Sequence, residues 1–258
     1  MPRLGDIARK AHNLWLRAQN AGEPLWLPGA AEQAAVEAMR EDWNRRGHEN
    51  ASHYVQSARN DWEDRDFFRS GEINVAKLVM TDMPRICGPA KSPLDLSMVE
   101  IGCGVGRMTR MLARIFADVA ALDVSDEMAA RARANTADLP NVTVLLGDGA
   151  TLQPLASDSY DFVFSFIVFQ HIPSFTVIAS YCEEAYRVLR PGGLFKFQVQ
   201  GRTSWRQRPQ DTWWGCPVSP SQARMLARGA GFVLEHSEGP RSQYYWLWFR
   251  KPLKSAAG

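Results

Sequence analysis

The chain has 258 residues, 45% of them hydrophobic, and a net charge of +2. That length buries a large core, and the basic residues are scattered rather than gathered into a run, so no surface for nucleic acid or another polyanion is announced. Cys87, Cys103, Cys182 and Cys216 match neither a metal pair nor a secreted disulfide framework, which reads as a reducing, cytoplasmic setting. No stretch reaches the ~20 apolar residues of a membrane span, and the first residues lack the apolar core and cleavage site of an export signal.

From Ala31 to Met83 the chain is polar, with Val36, Met39, Trp43, Tyr54, Val55, Trp62, Phe67 and Phe68 at helical intervals, which predicts two or three helices. Pro84 to Pro93 holds three prolines, a glycine and a serine, so a connection is expected there. The reading is a helical cap over 1–93 and a second domain over 94–258.

Beyond Pro93, short apolar runs alternate with longer amphipathic ones: Met98 to Ile101, Arg107 to Phe116, Val119 to Val124, Asp126 to Ala137, Val142 to Leu146, Tyr160 to Phe169, Phe175 to Leu189 and Leu194 to Val199. This alternation predicts an α/β domain with a mostly parallel, doubly wound sheet. Ser219 to Gly229 reads as a helix, followed by strands at Phe232 to Glu235 and Tyr244 to Phe249. The short link between those strands suits a hairpin, so the sheet is expected to finish with one antiparallel strand.

The strongest chemical signal is Val99-Glu100-Ile101-Gly102-Cys103-Gly104-Val105-Gly106-Arg107, an apolar run ending in GxGxG and opening into an amphipathic segment. Glycines at such a turn let a ligand approach the backbone with no Cβ in the way. The dinucleotide fingerprint GxGxxG places its third glycine one position later. Glu100 would be awkward beside phosphate and suits a cationic group or ordered water; alternatively it pairs locally.

Asp123 ends the next apolar run about twenty residues on, where such folds place an acid for ribose hydroxyls. Alternatively Asp123 or Ser125 caps the following helix, since Ser125-Asp-Glu-Met128 reads as a capping sequence; Ser125 is assigned the cap and Asp123 the ribose. Asp148 lies between Gly147 and Gly149, as an acceptor for an exocyclic amine or as an ordinary turn former.

These motifs, taken in order with Tyr160 to Ile167 and Leu189-Arg190-Pro191-Gly192-Gly193, resemble a class I S-adenosylmethionine (SAM) dependent methyltransferase of the small-molecule type over about Leu94 to Lys251. The resemblance implies a Rossmann-like seven-stranded sheet and SAM as cofactor. It implies cofactor contacts from Glu100, Gly102, Cys103, Gly104, Arg107, Asp123, Val124, Met128, Asp148, Gly149, Phe166 and Ile167, with Ser165 also lining the pocket.

Gln170 and His171 follow the fourth strand, where the methyl group and acceptor meet in such a fold. His171 is the candidate general base, or a hydrogen-bonding residue that fixes the loop. Tyr54 and Phe68 are expected near the cofactor if the cap closes as a lid, and otherwise only pack. Trp205, Trp213 and Trp214, with Arg206 and Arg208, form a candidate acceptor wall or pack against the cap. His12, His48, His53 and His236 show no metal-ligand spacing, so no metal is expected.

The expected reaction is methyl transfer to a small-molecule acceptor by in-line displacement. A nicotinamide-dependent oxidoreductase on the same fold and a non-catalytic SAM-binding protein are the alternatives. Ser165-Phe166-Ile167-Val168 stands where an amino-methylating nucleic-acid enzyme carries Asn/Asp-Pro-Pro-aromatic, and Cys216 lies in the wrong element for a cytosine-C5 nucleophile.

Overall fold

The computed structural model describes residues 29–89, 91–202 and 212–253, without the side chains at 30 and 31. Trp205, Arg206, Arg208 and His12 lie outside the described residues. The elements run α1 (Ala30–Val55), α2 (Asp64–Leu78), α3 (Met83–Cys87), β1 (Ser97–Ile101), α4 (Thr109–Leu112), β2 (Asp118–Asp123), α5 (Asp126–Asn135), β3 (Val142–Leu146), β4 (Tyr160–Ser165), α6 (Phe175–Val188), β5 (Leu189–Val199), α7 (Pro220–Ala230), β6 (Val233–Glu238) and β7 (Tyr245–Arg250).

The seven strands form one sheet in the order β3-β2-β1-β4-β5-β7-β6. β1 to β5 pair in parallel, and β7 runs antiparallel to both β5 and β6. The strand order reverses between β1 and β4, so the loops leaving β1, β2 and β4 converge at one edge, where open α/β sheets bind ligands. The central strands are buried along almost their whole length, which accounts for their mostly apolar sequence, interrupted by Glu100 and Asp161.

β5 starts earlier than the apolar run at Leu194, because Leu189 already pairs with Tyr160 and a register break before the Phe162/Leu194 pair absorbs Arg190 to Gly193. The helix expected from Arg107 to Phe116 shrinks to four residues, since Arg114 and Ile115 turn to i−3 carbonyls. Pro84 sits in the first turn of α3, where its missing N–H costs nothing.

Val75 and Val79, N-terminal to the Pro-rich connection, and Ile86 within it share one core cluster with Met98, Phe116 and Phe162. The buried Lys196 ammonium of β5 meets Asp82 at 2.5 Å, and Trp248 Nε1 donates to the same carboxylate. Residues on the two sides of the connection are thus packed as one body here.

α1 crosses the other face of the site. Its backbone breaks at Asn50, with φ −166° and ψ 82°, and Asn50 Oδ1 accepts the His53 N–H at 3.1 Å. Asn50 thereby caps a second short helical segment that carries Tyr54 and Val55 to the glycine-rich loop.

Among the described residues, no helix is long and apolar enough to cross a membrane, and no group of three His, Cys, Asp or Glu could hold a metal ion.

Candidate active site

The loop after β1 forms the floor of the site. Gly102 and Cys103 both donate their N–H to Leu122 O, at 2.7 and 3.0 Å, which ties the loop to the end of β2. Gly102 and Gly104 have φ of +74° and +55°, the left-handed region that glycine enters without strain. At Gly102 a Cβ would stand 2.2 Å from Val168 Cγ2, so no side chain fits there.

Asp123 grips this loop. One carboxylate oxygen accepts the Gly104 N–H at 2.8 Å and the other the Ser125 N–H at 3.0 Å. Burial pushes its pKa up to about 6, against the lowering effect of these backbone donors. Ser125 caps α5, accepting from Met128 N and donating to Asn44 Oδ1 of α1 at 2.6 Å. Asp123 and Ser125 therefore divide the two roles that compete in the sequence: the carboxylate faces the cleft and the hydroxyl caps the helix.

Glu100 is 5% exposed. Burial raises its pKa to about 7, although the Thr109 hydroxyl donates to it at 2.6 Å and the Arg107 charge is near. Arg107 is also buried, held by Ser70 Oγ at 3.1 Å, by the Asn74 amide oxygen at 3.2 Å and beneath the Phe67 ring. Burial lowers its pKa to about 10, so it stays cationic at neutral pH. Cys103 is buried and its thiol is pushed upward by that burial, which disfavours the thiolate.

These groups line a cleft of about 980 Å³, counted to its open mouth. It gathers Glu100, Gly102, Cys103, Gly104, Arg107, Asp123, Val124, Met128, Phe166, Ile167 and Tyr54 from the sequence reading. It adds Trp43 of α1, which begins the Trp43 to Tyr54 segment read as a lid, and Met39, Val55, Ile172 and Tyr181, which sequence reasoning missed as site residues. Met39 and Val55 were visible only as helix-spaced apolar positions. Nothing in that spacing distinguishes a pocket roof from a core face.

The remaining candidates lie around the cleft without lining it. Asp148 turns its carboxylate onto Ala150 N and onto the N–H and hydroxyl of Thr151, leaving Gly147 and Thr151 at the wall. Gly149 packs beneath Val36, Val124 and Met39. Phe68 faces Phe67 and Arg110. Ser165 is buried and donates to Ile101 O at 2.8 Å. Gln170 and His171 are buried behind the wall, Trp213 packs against Tyr54 and His171, and Trp214 is exposed.

An open sheet in this strand order, with a left-handed glycine turn after β1 and an acid after β2, defines the class I methyltransferase fold. Residues 99–197 match the family model of the methyltransferase domain, so this segment is similar to methyltransferase domains. A probable S-adenosylmethionine-dependent methyltransferase of Mycolicibacterium smegmatis is 30% identical over 145 residues, covering 55% of this chain and 54% of that protein. A malonyl-[acyl-carrier protein] O-methyltransferase of Enterobacter lignolyticus is 32% identical over 133 residues, covering 52% and 50%. This chain thus spans about half the length of these relatives. Phosphoethanolamine N-methyltransferase 1 of Haemonchus contortus, solved with phosphoethanolamine and S-adenosylhomocysteine, superposes with a TM-score of 0.60 at 15% identity, covering 88% of this chain and 51% of that one. At that identity the likeness speaks for the fold.

Proposed function

We propose that the protein binds SAM in this cleft and transfers its methyl group to a small-molecule acceptor. The observation that carries the reading is the combination of a glycine turn that admits no Cβ with two carboxylates, Glu100 and Asp123, facing the same cleft. That donor set fits the cofactor: Asp123 retains lone pairs for ribose hydroxyls beyond its two backbone donors, and Glu100 suits a cationic ammonium. Apolar Met128, Val124 and Met39 provide walls for a purine.

When bound, SAM supplies a methyl group on a sulfonium leaving group. The chain's own task is then positional: to hold both partners in line and exclude water. Phe166 is stacked on Trp246 at 5.6 Å and 11°, which stiffens the wall next to Ile167. Met39, Trp43, Tyr54 and Val55 roof the cleft with mostly apolar surface. The Enterobacter relative is a malonyl-[acyl-carrier protein] O-methyltransferase, so carboxylic acids belong in the first acceptor panel, alongside amines and phenols.

Calorimetry with S-adenosylhomocysteine (SAH) and with NAD tests the binding step. Affinity for SAH alone is the expected result, followed by SAH release from SAM with one acceptor of the panel. Affinity for NAD without SAH would favour an oxidoreductase, and SAH affinity without turnover on any acceptor would favour a binding protein.

A further inference from the structure

We propose that His171, in one tautomer set by the Trp213 carbonyl and Gln170, is a positioning residue that holds this carbonyl and with it the aromatic wall behind the roof of the cleft. The proposal rests on the methyl-transfer reading of that cleft.

The argument starts at the wall. Ile167 lines the cleft with φ +55°, a strained value for a β-branched residue. Its N–H donates to Gln198 Oε1 at 3.2 Å. The Gln198 amide nitrogen must then face acceptors, and it does: Gln170 Oε1 at 2.6 Å and Gln243 O at 3.2 Å.

With its oxygen taken, Gln170 presents its NH2 to His171 Nε2 at 3.1 Å. Nε2 is therefore the acceptor, and Nδ1 carries the proton toward Trp213 O at 2.7 Å. A backbone donor at one end and a backbone carbonyl at the other give the chain of bonds a single polarity. Gln198, Gln170 and His171 are 0%, 4% and 6% exposed, so a reversed amide or tautomer would leave buried polar groups facing like partners.

What His171 holds is the turn at residues 212–215. Gly215 there has φ +51°, and a Cβ on it would lie 2.3 Å from Gln170 O, so the turn is pressed directly onto the relay. Trp213 reaches the roof helix: its ring meets Tyr54 edge-on at 6.4 Å, and the Arg46 guanidinium lies 4.8 Å from both the Trp213 and Trp43 rings. The Thr212 hydroxyl donates to Asp42 of α1. Trp43 also meets His171 edge-on at 5.4 Å. Trp43 and Tyr54 line the cleft, so the Nδ1 bond acts on the ligand through them. A general base would instead present a ring nitrogen to the acceptor, and His171 does not line the cleft.

The test compares the wild-type protein with His171→Asn, His171→Gln, His171→Ala and Gln170→Leu. An Asn amide nitrogen occupies nearly the place of Nδ1, and a Gln amide that of Nε2. Nitrogen-15 NMR at neutral pH is expected to show His171 protonated on Nδ1 with a bare Nε2; the Trp213 carbonyl, which only accepts, keeps that tautomer in Gln170→Leu, where the Nε2 resonance is expected to shift as its amide donor is lost. Calorimetry is expected to show SAH affinity lowered about tenfold in His171→Ala, as for one lost buried hydrogen bond, restored to within about twofold by Asn and not by Gln. Wild-type SAH affinity in His171→Ala, rescue by Gln but not Asn, or an Nε2–H tautomer would each overturn the proposal. Absence of SAH binding in the wild type would overturn the methyl-transfer reading itself, with the NMR result still deciding the relay. Thermal unfolding of each variant separates misfolding from lost positioning.

Discussion

The floor and the roof of the cleft are built by different means. The floor comes from consecutive residues, Gly102 to Gly106, whose backbone is pinned by Leu122 O and Asp123. The roof comes from α1, backed by the 212–215 turn, and the side chains of the two meet across most of the chain. A floor made of backbone tolerates almost no change in shape, whereas a roof made of side chains spreads its work over many contacts.

The first way to break that contrast is at Gly102. Gly102→Ala combines a strained φ with a clash at Val168, and SAH affinity is expected to fall about 100-fold or the fold to fail; calorimetry and circular dichroism distinguish the two. Next, Asp123→Ala removes both a ligand acceptor and the grip on Gly104. A loss of about 30-fold in SAH affinity is expected, and Asp123→Asn, which keeps one carbonyl acceptor, is expected to fall less.

The pH response sharpens the floor further. The Glu100 pKa is raised in the folded state to about 7 from an ordinary 4.5, so between those values the native state binds more protons than the unfolded one. Stability in the ligand-free protein therefore declines as pH rises from about 4.5 to 7 and levels off above, by roughly 3 kcal/mol from this group. Asp123, raised to about 6, acts in the same direction. Glu100→Gln keeps an acceptor for Thr109 and is expected to flatten the profile and to be the more stable protein at pH 8, by urea unfolding. A profile unchanged by the substitution would show that Glu100 is not the buried acid described here.

The smallest effect belongs to the roof. Tyr54→Phe removes the hydroxyl that donates to Glu49 at 2.8 Å but keeps the ring, so SAH affinity is expected to change by less than about twofold. A loss as large as that at Asp123 would mean that the roof, too, contacts the ligand through single indispensable atoms.

This contrast also explains what could be read beforehand. β3 begins and ends where its apolar run does, and the antiparallel β7 follows from the short Gly239-Pro240 link. The GxGxG turn and Asp123 are local in sequence and come together as their spacing implies. Asp148 and Phe68 were visible as residue types, but their orientation depends on Thr151 and Arg110, which no local pattern announces. The roles of Trp43, Gln198 and Arg46 depend on partners far away in sequence. His171 was identifiable as a polar residue at the edge of the sheet, while its engagement by Gln170 and Trp213 required three dimensions.

The Thr212 to Asp42 bond joins residues 170 positions apart. Contacts that close such long stretches of chain form late, after nearer pairings have offset the loss of chain freedom. The cleft should therefore acquire its glycine turn early in folding and its cover near the end, so a ligand already seated between them would hasten the last step. Refolding followed through tryptophan emission, with and without SAH, would register that acceleration only in the slowest phase.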